Sequence, residues 1–179
     1  PLERFAYKIF GVDPSENMKW STFAWSFLTF TLVGMVGLFL LQIIQNYLPL
    51  NPSKLPAIRW DSALNAAISF ASGTNWLSYP SENTSYCTKM LGFGLQNFLA
   101  AASGMAVAVA FINSFIRKNV IEIGNFWVYL TRSILYILLP LSIILTVFLI
   151  SQGVPENLKP PIQVQTLEGK EQIIAQGPI

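Results

Sequence analysis

The sequence predicts an all-α membrane protein organised as a helix, a re-entrant loop and a second helix. Three observations predict it. Only 11% of the 179 residues are charged while 53% are hydrophobic, against about a quarter charged in an ordinary soluble domain. Three long runs carry no charge. A small, polar, uncharged stretch, SFASGTNWLSY (residues 69–79), lies between the first two of these runs.

The first run extends from Lys19 to Lys54. Its apolar part, 21–47, exceeds the roughly 20 residues a helix needs to cross a bilayer core. Trp20, Trp25 and Tyr47 suit the two interfaces. Asn51-Pro52 and Pro56 then break regular structure. About forty residues, 48–89, join this span to the next, far more than a helix–helix turn needs. Within them DSALNAAISFA reads as a short helix over 61–71. Asp61 serves as its cap, and Leu64, Ala67, Ile68 and Ala71 form its apolar repeat. At roughly 11 residues it falls far short of a span.

A short helix followed by an irregular polar segment between two spans predicts a re-entrant pore loop. Irregular backbone at membrane depth is tolerated only where protein buries it or a watery cavity adjoins it. Aligned carbonyls there replace the hydration shell of a cation. Gly73 reaches φ > 0 without a Cβ penalty. Ser72, Thr74 and Asn75 add neutral oxygens, and the C-terminus of helix 61–71 favours a cation. No carboxylate lies between Asp61 and Glu82, so selection would come from carbonyl geometry. Trp76 and Tyr79 are placed to buttress the loop.

The second run, between Lys89 and Arg117, gives a span over 90–116. Ala100, Gly104 and Ala108 share one face and predict a close helix contact. Residues 119–131 are expected as a short interfacial helix with Trp127 and Tyr129 at headgroup level. The third run, after Arg132, gives a span over 133–150, where Pro140 predicts a kink. Residues 151–179, with Pro155, Pro160 and Pro161, are expected as an external loop. Gln42, Gln45, Gln96, Asn97 and Asn113, in or near the spans, are the residue types that hydrogen-bond between membrane helices. Arg4, Lys8, Lys19, Arg117, Lys118 and Arg132 on one side nearly balance Lys54, Arg59, Lys89, Lys159 and Lys170 on the other; weighting the residues close to span ends favours the cytoplasmic side for the N-terminal segment and the 117–132 loop.

Composition also excludes chemistry. The chain has no histidine, and Cys87 is its only cysteine, which removes Ser–His and Cys–His catalysis, most zinc sites and any internal disulfide. A net charge of +2 gives no nucleic-acid footprint. The spans lack the ionisable residues that intramembrane enzymes carry. A chain starting at proline and ending in IIAQGPI reads as part of a longer polypeptide.

Several blocks carry a family resemblance: YLPLNPSKLP (47–56), WDSALNAAISFASGTNWLSY (60–79), LQNFLAAASGMAVAVAFI (95–112), GNFWVYLTRSILYILLPLSI (124–143) and the tail TLEGKEQIIAQGPI. Through them the chain resembles the potassium-binding A subunit of the bacterial Kdp potassium-transporting ATPase. The resemblance covers almost the whole chain. It implies a potassium-channel-like fold of four helix–pore loop–helix repeats. Residues 1–116 would be the first repeat and 117–179 the start of the second. The filter would be 72–77, with one K+ held by the backbone of Ser72, Gly73, Thr74 and Asn75, followed by Trp76. Leu77, Gln96 and Asn97 are candidates for pore support.

The family pattern Thr-Asn-Thr-Asn-Trp-Gln is here Ser72, Gly73, Thr74, Asn75, Trp76 and Leu77. The departures at Gly73 and Leu77 bear on affinity and on rubidium discrimination. The resemblance further implies a multi-pass protein of the bacterial inner membrane. Its implied partners are a P-type ATPase B subunit that hydrolyses ATP and small accessory subunits. This sequence has neither the phosphorylated Asp-Lys-Thr-Gly signature nor a P-loop, so the chain is expected to bind no nucleotide and to be no enzyme by itself. A stand-alone potassium channel, a Trk- or Ktr-like transporter and a non-conducting scaffold subunit are the alternatives.

Overall fold

The computed structural model describes residues 2–116, 122–154, 157–166, 169, 171–174 and 177. Among the described residues, three helices are long and apolar enough to cross a membrane: Trp20–Ile43, Thr88–Ile116 and Phe126–Ser151. A helix covers each expected span, with shifted ends. Helix α1 (Leu2–Phe10) and strand β1 (Met18–Lys19) precede α2 (Trp20–Ile43), and a 3₁₀ turn, Gln45–Tyr47, follows it. Twenty-four residues at about 1.5 Å each give α2 a length of about 36 Å. The short helix is α3 (Trp60–Ala71), and α4 (Leu95–Ile116) continues a π-helical stretch, Thr88–Gly94.

After β2 (Glu122–Gly124), the third span runs without a break through α5 (Phe126–Arg132), a π-helical stretch Ser133–Leu138 and α6 (Leu139–Ser151). Ahead of Pro140, where a kink is expected, the helix widens into π-helical turns. Proline lacks an N–H and its ring crowds the carbonyl four residues back; the wider turn relieves both.

The interfacial helix over 119–131 is corrected. Residues 119–121, like Arg117, Lys118, Pro155 and Lys170, lie outside the described set. Glu122–Gly124 is extended and pairs antiparallel with β1. Gly124 has φ +108°, and a Cβ there would stand 2.0 Å from the Tyr129 hydroxyl, so a helix cannot pass through it. Asn125 instead caps α5, accepting from the N–H groups of Trp127 (3.0 Å) and Val128 (3.4 Å). The tail, expected as a loop, contains an antiparallel pair, β3 (Ile162–Gln165) and β4 (Glu171–Ile174).

Two clusters hold the spans together. In one, Phe126 is fully buried and meets Phe23 edge-on at 5.4 Å, with Ala102, Ala106, Ala110 and Leu130 around it. The small-residue contact of α4 therefore uses Ala102, Ala106 and Ala110. The predicted face is corrected: Gly104 and Ala108 are exposed, and no atom lies within 4 Å of a Cβ built on Gly104. Both faces have the same four-residue spacing, and only the position of α5 chooses between them. The second cluster joins Leu38 of α2, Ala66, Ala67 and Phe70 of α3, and Phe93.

One ion pair fixes α1 beside the third span. Glu3 accepts from Tyr7 (2.6 Å), Arg132 (2.7 Å) and Tyr136 (2.9 Å). The bond from Tyr7, then that from Arg132, lowers its pKa from 4.5 to about 2. A depressed carboxylate stabilises the fold above its unfolded pKa, and the effect fades as pH falls through the folded value. Tyr7 lies on α1 itself, so docking draws on the share supplied by Arg132 and Tyr136: it should be constant above pH 4.5 and weaken, by less than the full shift, as pH falls toward about 2. Glu3→Gln should abolish that dependence, as read by protease protection of α1.

Candidate functional site

Helix α3 is only 12 residues long, about 18 Å, and stops between the spans. It is seated by Ala63, Ala66, Ala67 and Phe70. This corrects the expected apolar face: Ile68 is 50% exposed, because the alanines bring the backbone close to α2 and Phe70 fills the cluster beside them. Its N-cap is also corrected. Arg59 precedes the first turn without a side-chain cap, and Asp61 lies inside that turn. There Asp61 accepts from the Ser62 N–H (2.9 Å) and pairs with Arg59 (2.9 Å).

Two fully buried glutamines anchor the segment from the C-terminal end of the first span and the turn that follows it. Gln42 donates to the carbonyls of Leu38 (3.0 Å) and Ala63 (3.1 Å), and it accepts from the Tyr79 hydroxyl. Its own carbonyl accepts from the Ile58 N–H (3.1 Å). Gln45 donates to the carbonyls of Pro56 and Asn83, and accepts from the N–H of Ser85 (3.2 Å). Gln42 bonds between helices as expected, from α2 to Ala63 of α3, while Gln45 bonds mainly the main chain of the connection at Pro56, Asn83 and Ser85. Asn113 does bridge helices, donating to Tyr129 (2.9 Å).

The end of α3 determines how the polar loop faces. Ser72 closes the helix with its N–H on the Ile68 carbonyl (3.0 Å). Gly73, at φ +75°, is the left-handed residue after it. The Gly73 N–H reaches the Phe70 carbonyl (3.3 Å) and the Thr74 N–H the Ser69 carbonyl (2.9 Å). This is the Schellman pattern, which explains a glycine at this place. The loop then continues beyond that pattern. The Asn75 N–H also bonds to the Ser69 carbonyl (3.2 Å), with Asn75 itself at φ +58°. The Trp76 N–H bonds to the Ser69 hydroxyl (2.6 Å).

Four successive N–H groups, 73 to 76, therefore point back at one helix end. In a trans peptide the carbonyl points opposite to the N–H that shares its plane, and no cis bond occurs among the described residues. The carbonyls of Ser72, Gly73, Thr74 and Asn75 consequently face away from α3. They lie on the open side of the loop, where residues 72–76 are exposed. A row of outward main-chain oxygens, with no carboxylate in the loop, has the chemistry to replace water around a monovalent cation.

The sequence-selected residues divide into two groups. Ser72, Gly73, Thr74, Asn75 and Trp76 are brought together along the loop. The Ser72 hydroxyl is committed to the helix end, donating to the Ser69 carbonyl (3.1 Å) with Thr74 Oγ1 3.1 Å away. Leu77 packs behind the loop against the second cluster. Trp76 is exposed, and only Tyr79 of the two expected buttresses inserts. Gln96 is buried against α2, where a Cβ on Gly34 would meet its Oε1 at 2.5 Å. Asn97 is exposed on α4. Sequence reasoning missed Ser69. Its position two residues before the end of an apolar helix followed by Ser-Gly is the one available signal.

The potassium-transporting ATPase A subunit family model matches residues 1–179. The potassium-transporting ATPase potassium-binding subunit of Methylococcus capsulatus is 53% identical over 168 residues, which are 93% of this chain and 28% of that protein. The protein of the same name from Pseudomonas syringae pv. tomato is 46% identical over 179 residues, 99% of this chain and 32% of that protein. That from Pseudomonas aeruginosa is 45% identical, with the same coverage. The chain thus spans about a third or less of the length of these relatives.

Proposed function

Because the chain belongs to the potassium-transporting ATPase A subunit family, we propose that it supplies one wall of a potassium site in an ATP-driven uptake complex of the bacterial inner membrane. Residues 1–116 form the first helix–pore loop–helix repeat, and 117–179 begin the second. The observation that carries this reading is the outward row of carbonyls at Ser72, Gly73, Thr74 and Asn75, held by four bonds to the end of α3. These oxygens contact a dehydrated K+, and further loops of the full-length chain complete its shell. A neutral site of this kind selects by the spacing and number of its dipoles.

The cation is cargo. This chain's part is to hold the loop and keep its amide hydrogens off the ion path. ATP is hydrolysed by a partner, a P-type B subunit, and small accessory subunits complete the assembly.

Purification of the full-length protein with its natural partners tests the reading. Potassium-stimulated ATP hydrolysis in the co-purified complex is the expected result. Potassium conduction by the isolated full-length protein with no ATPase attached would favour a stand-alone channel. Absence of both would leave a scaffold subunit.

A further inference from the structure

Gln42 joins three parts of the chain that the ion site depends on. Through its main-chain carbonyl it holds Ile58, where the chain approaches α3. Its amide holds the first turn of α3 at Ala63 (3.1 Å), and its amide oxygen takes the hydroxyl of Tyr79, on the leg that leaves the loop. It is fully buried, and it belongs to α2, the first span. The inner end of the loop is fixed by the helix cap and Ser69. At the outer end, Tyr79 is the side chain whose hydrogen bond reaches a spanning helix.

Resting on the potassium-site reading above, we infer that Gln42 is a positioning residue for that site. It works through Tyr79 by keeping the outer leg of the loop at a fixed distance from the first span. The carbonyl row is then set from both ends. A buried acceptor left without its donor is costly, so the pair has one favoured arrangement. Relaxing it lets the outer carbonyl of Asn75 swing. Because potassium and rubidium differ only in size, discrimination between them is the property most sensitive to such a swing.

The test uses the full complex in liposomes, with K+ and Rb+ as the probes. Tyr79→Phe removes only the hydroxyl; Gln42→Leu removes the whole hub. Tyr79→Phe should raise the KM for K+ about tenfold, equivalent to about 1.4 kcal/mol, with the maximal rate held and Rb+ discrimination weakened. The double variant should be no worse than Gln42→Leu alone, since both act through one bond. Gly73→Asp is the control for the site itself. Wild-type KM and Rb+ discrimination in Tyr79→Phe, with Gly73→Asp inactive, would overturn the role of Gln42 and leave the ion site standing. Wild-type transport in Gly73→Asp as well would remove both.

Discussion

Gly73→Asp should abolish or redirect ion selectivity in the full complex while the protein still inserts. The backbone at Gly73 is left-handed, φ +75°, and a Cβ there meets nothing within 4 Å. Aspartate and asparagine tolerate this region better than other side chains. The helix cap therefore survives the substitution, and insertion levels should stay near wild type. What changes is the charge. A carboxylate beside neutral carbonyls attracts a cation at about 4 Å by about 4 kcal/mol at an intermediate effective dielectric. That converts selection by dipole geometry into capture by net charge, and release slows. Uptake assays at low K+ with Na+ competition read the effect. Gly73→Asn, the residue the family pattern carries here, adds no charge and should transport within a few-fold of wild type. Gly73→Val, β-branched in a left-handed position, should lose the cap at a strain of about 1–2 kcal/mol or more.

Ser69→Ala should produce the second large effect. The Ser69 hydroxyl is the acceptor for the Trp76 N–H at 2.6 Å, and this bond aims the carbonyl of Asn75. Leaving a donor without its partner costs about 1–3 kcal/mol. The main-chain carbonyl of Ser69 still accepts from Thr74 and Asn75, so the inner part of the row is kept. The expected outcome is a rise of about tenfold or more in the KM for K+ with unchanged insertion. Ser69→Thr keeps a hydroxyl and should restore much of the affinity. Equal losses in the alanine and threonine variants would point to packing at this site.

These two residues illustrate what the sequence makes legible. Gly73 can be read directly, because a glycine after an apolar helix signals a left-handed cap. The three spans and the short helix are equally plain, since charge-free runs and their lengths leave few alternatives. Ser69 is not legible: its partner lies seven residues on, and the bond exists only once the loop doubles back. Gln42 reads as a buried polar group, but its partners are 21 and 37 residues distant. The buried face of α3 was misplaced for a different reason. That helix is apolar on most sides, so periodicity cannot choose between Ala63–Ala66–Ala67–Phe70 and Leu64–Ala67–Ile68–Ala71. The pairing of β1 with β2 involves strands of two and three residues, too short for alternation to show. The charge on Arg132 marks the edge of the third span in the sequence, yet Glu3 meets that charge and the helix begins six residues earlier, at Phe126.

The most direct test of the central claim is a map of the full-length assembly in the presence of Rb+ or Tl+, whose scattering distinguishes them from water. The account predicts a peak on the axis of the pore in contact with the carbonyl oxygens of Ser72, Gly73, Thr74 and Asn75. A loop lying in the headgroup region with those carbonyls hydrated, and no cation density beside them, would contradict it.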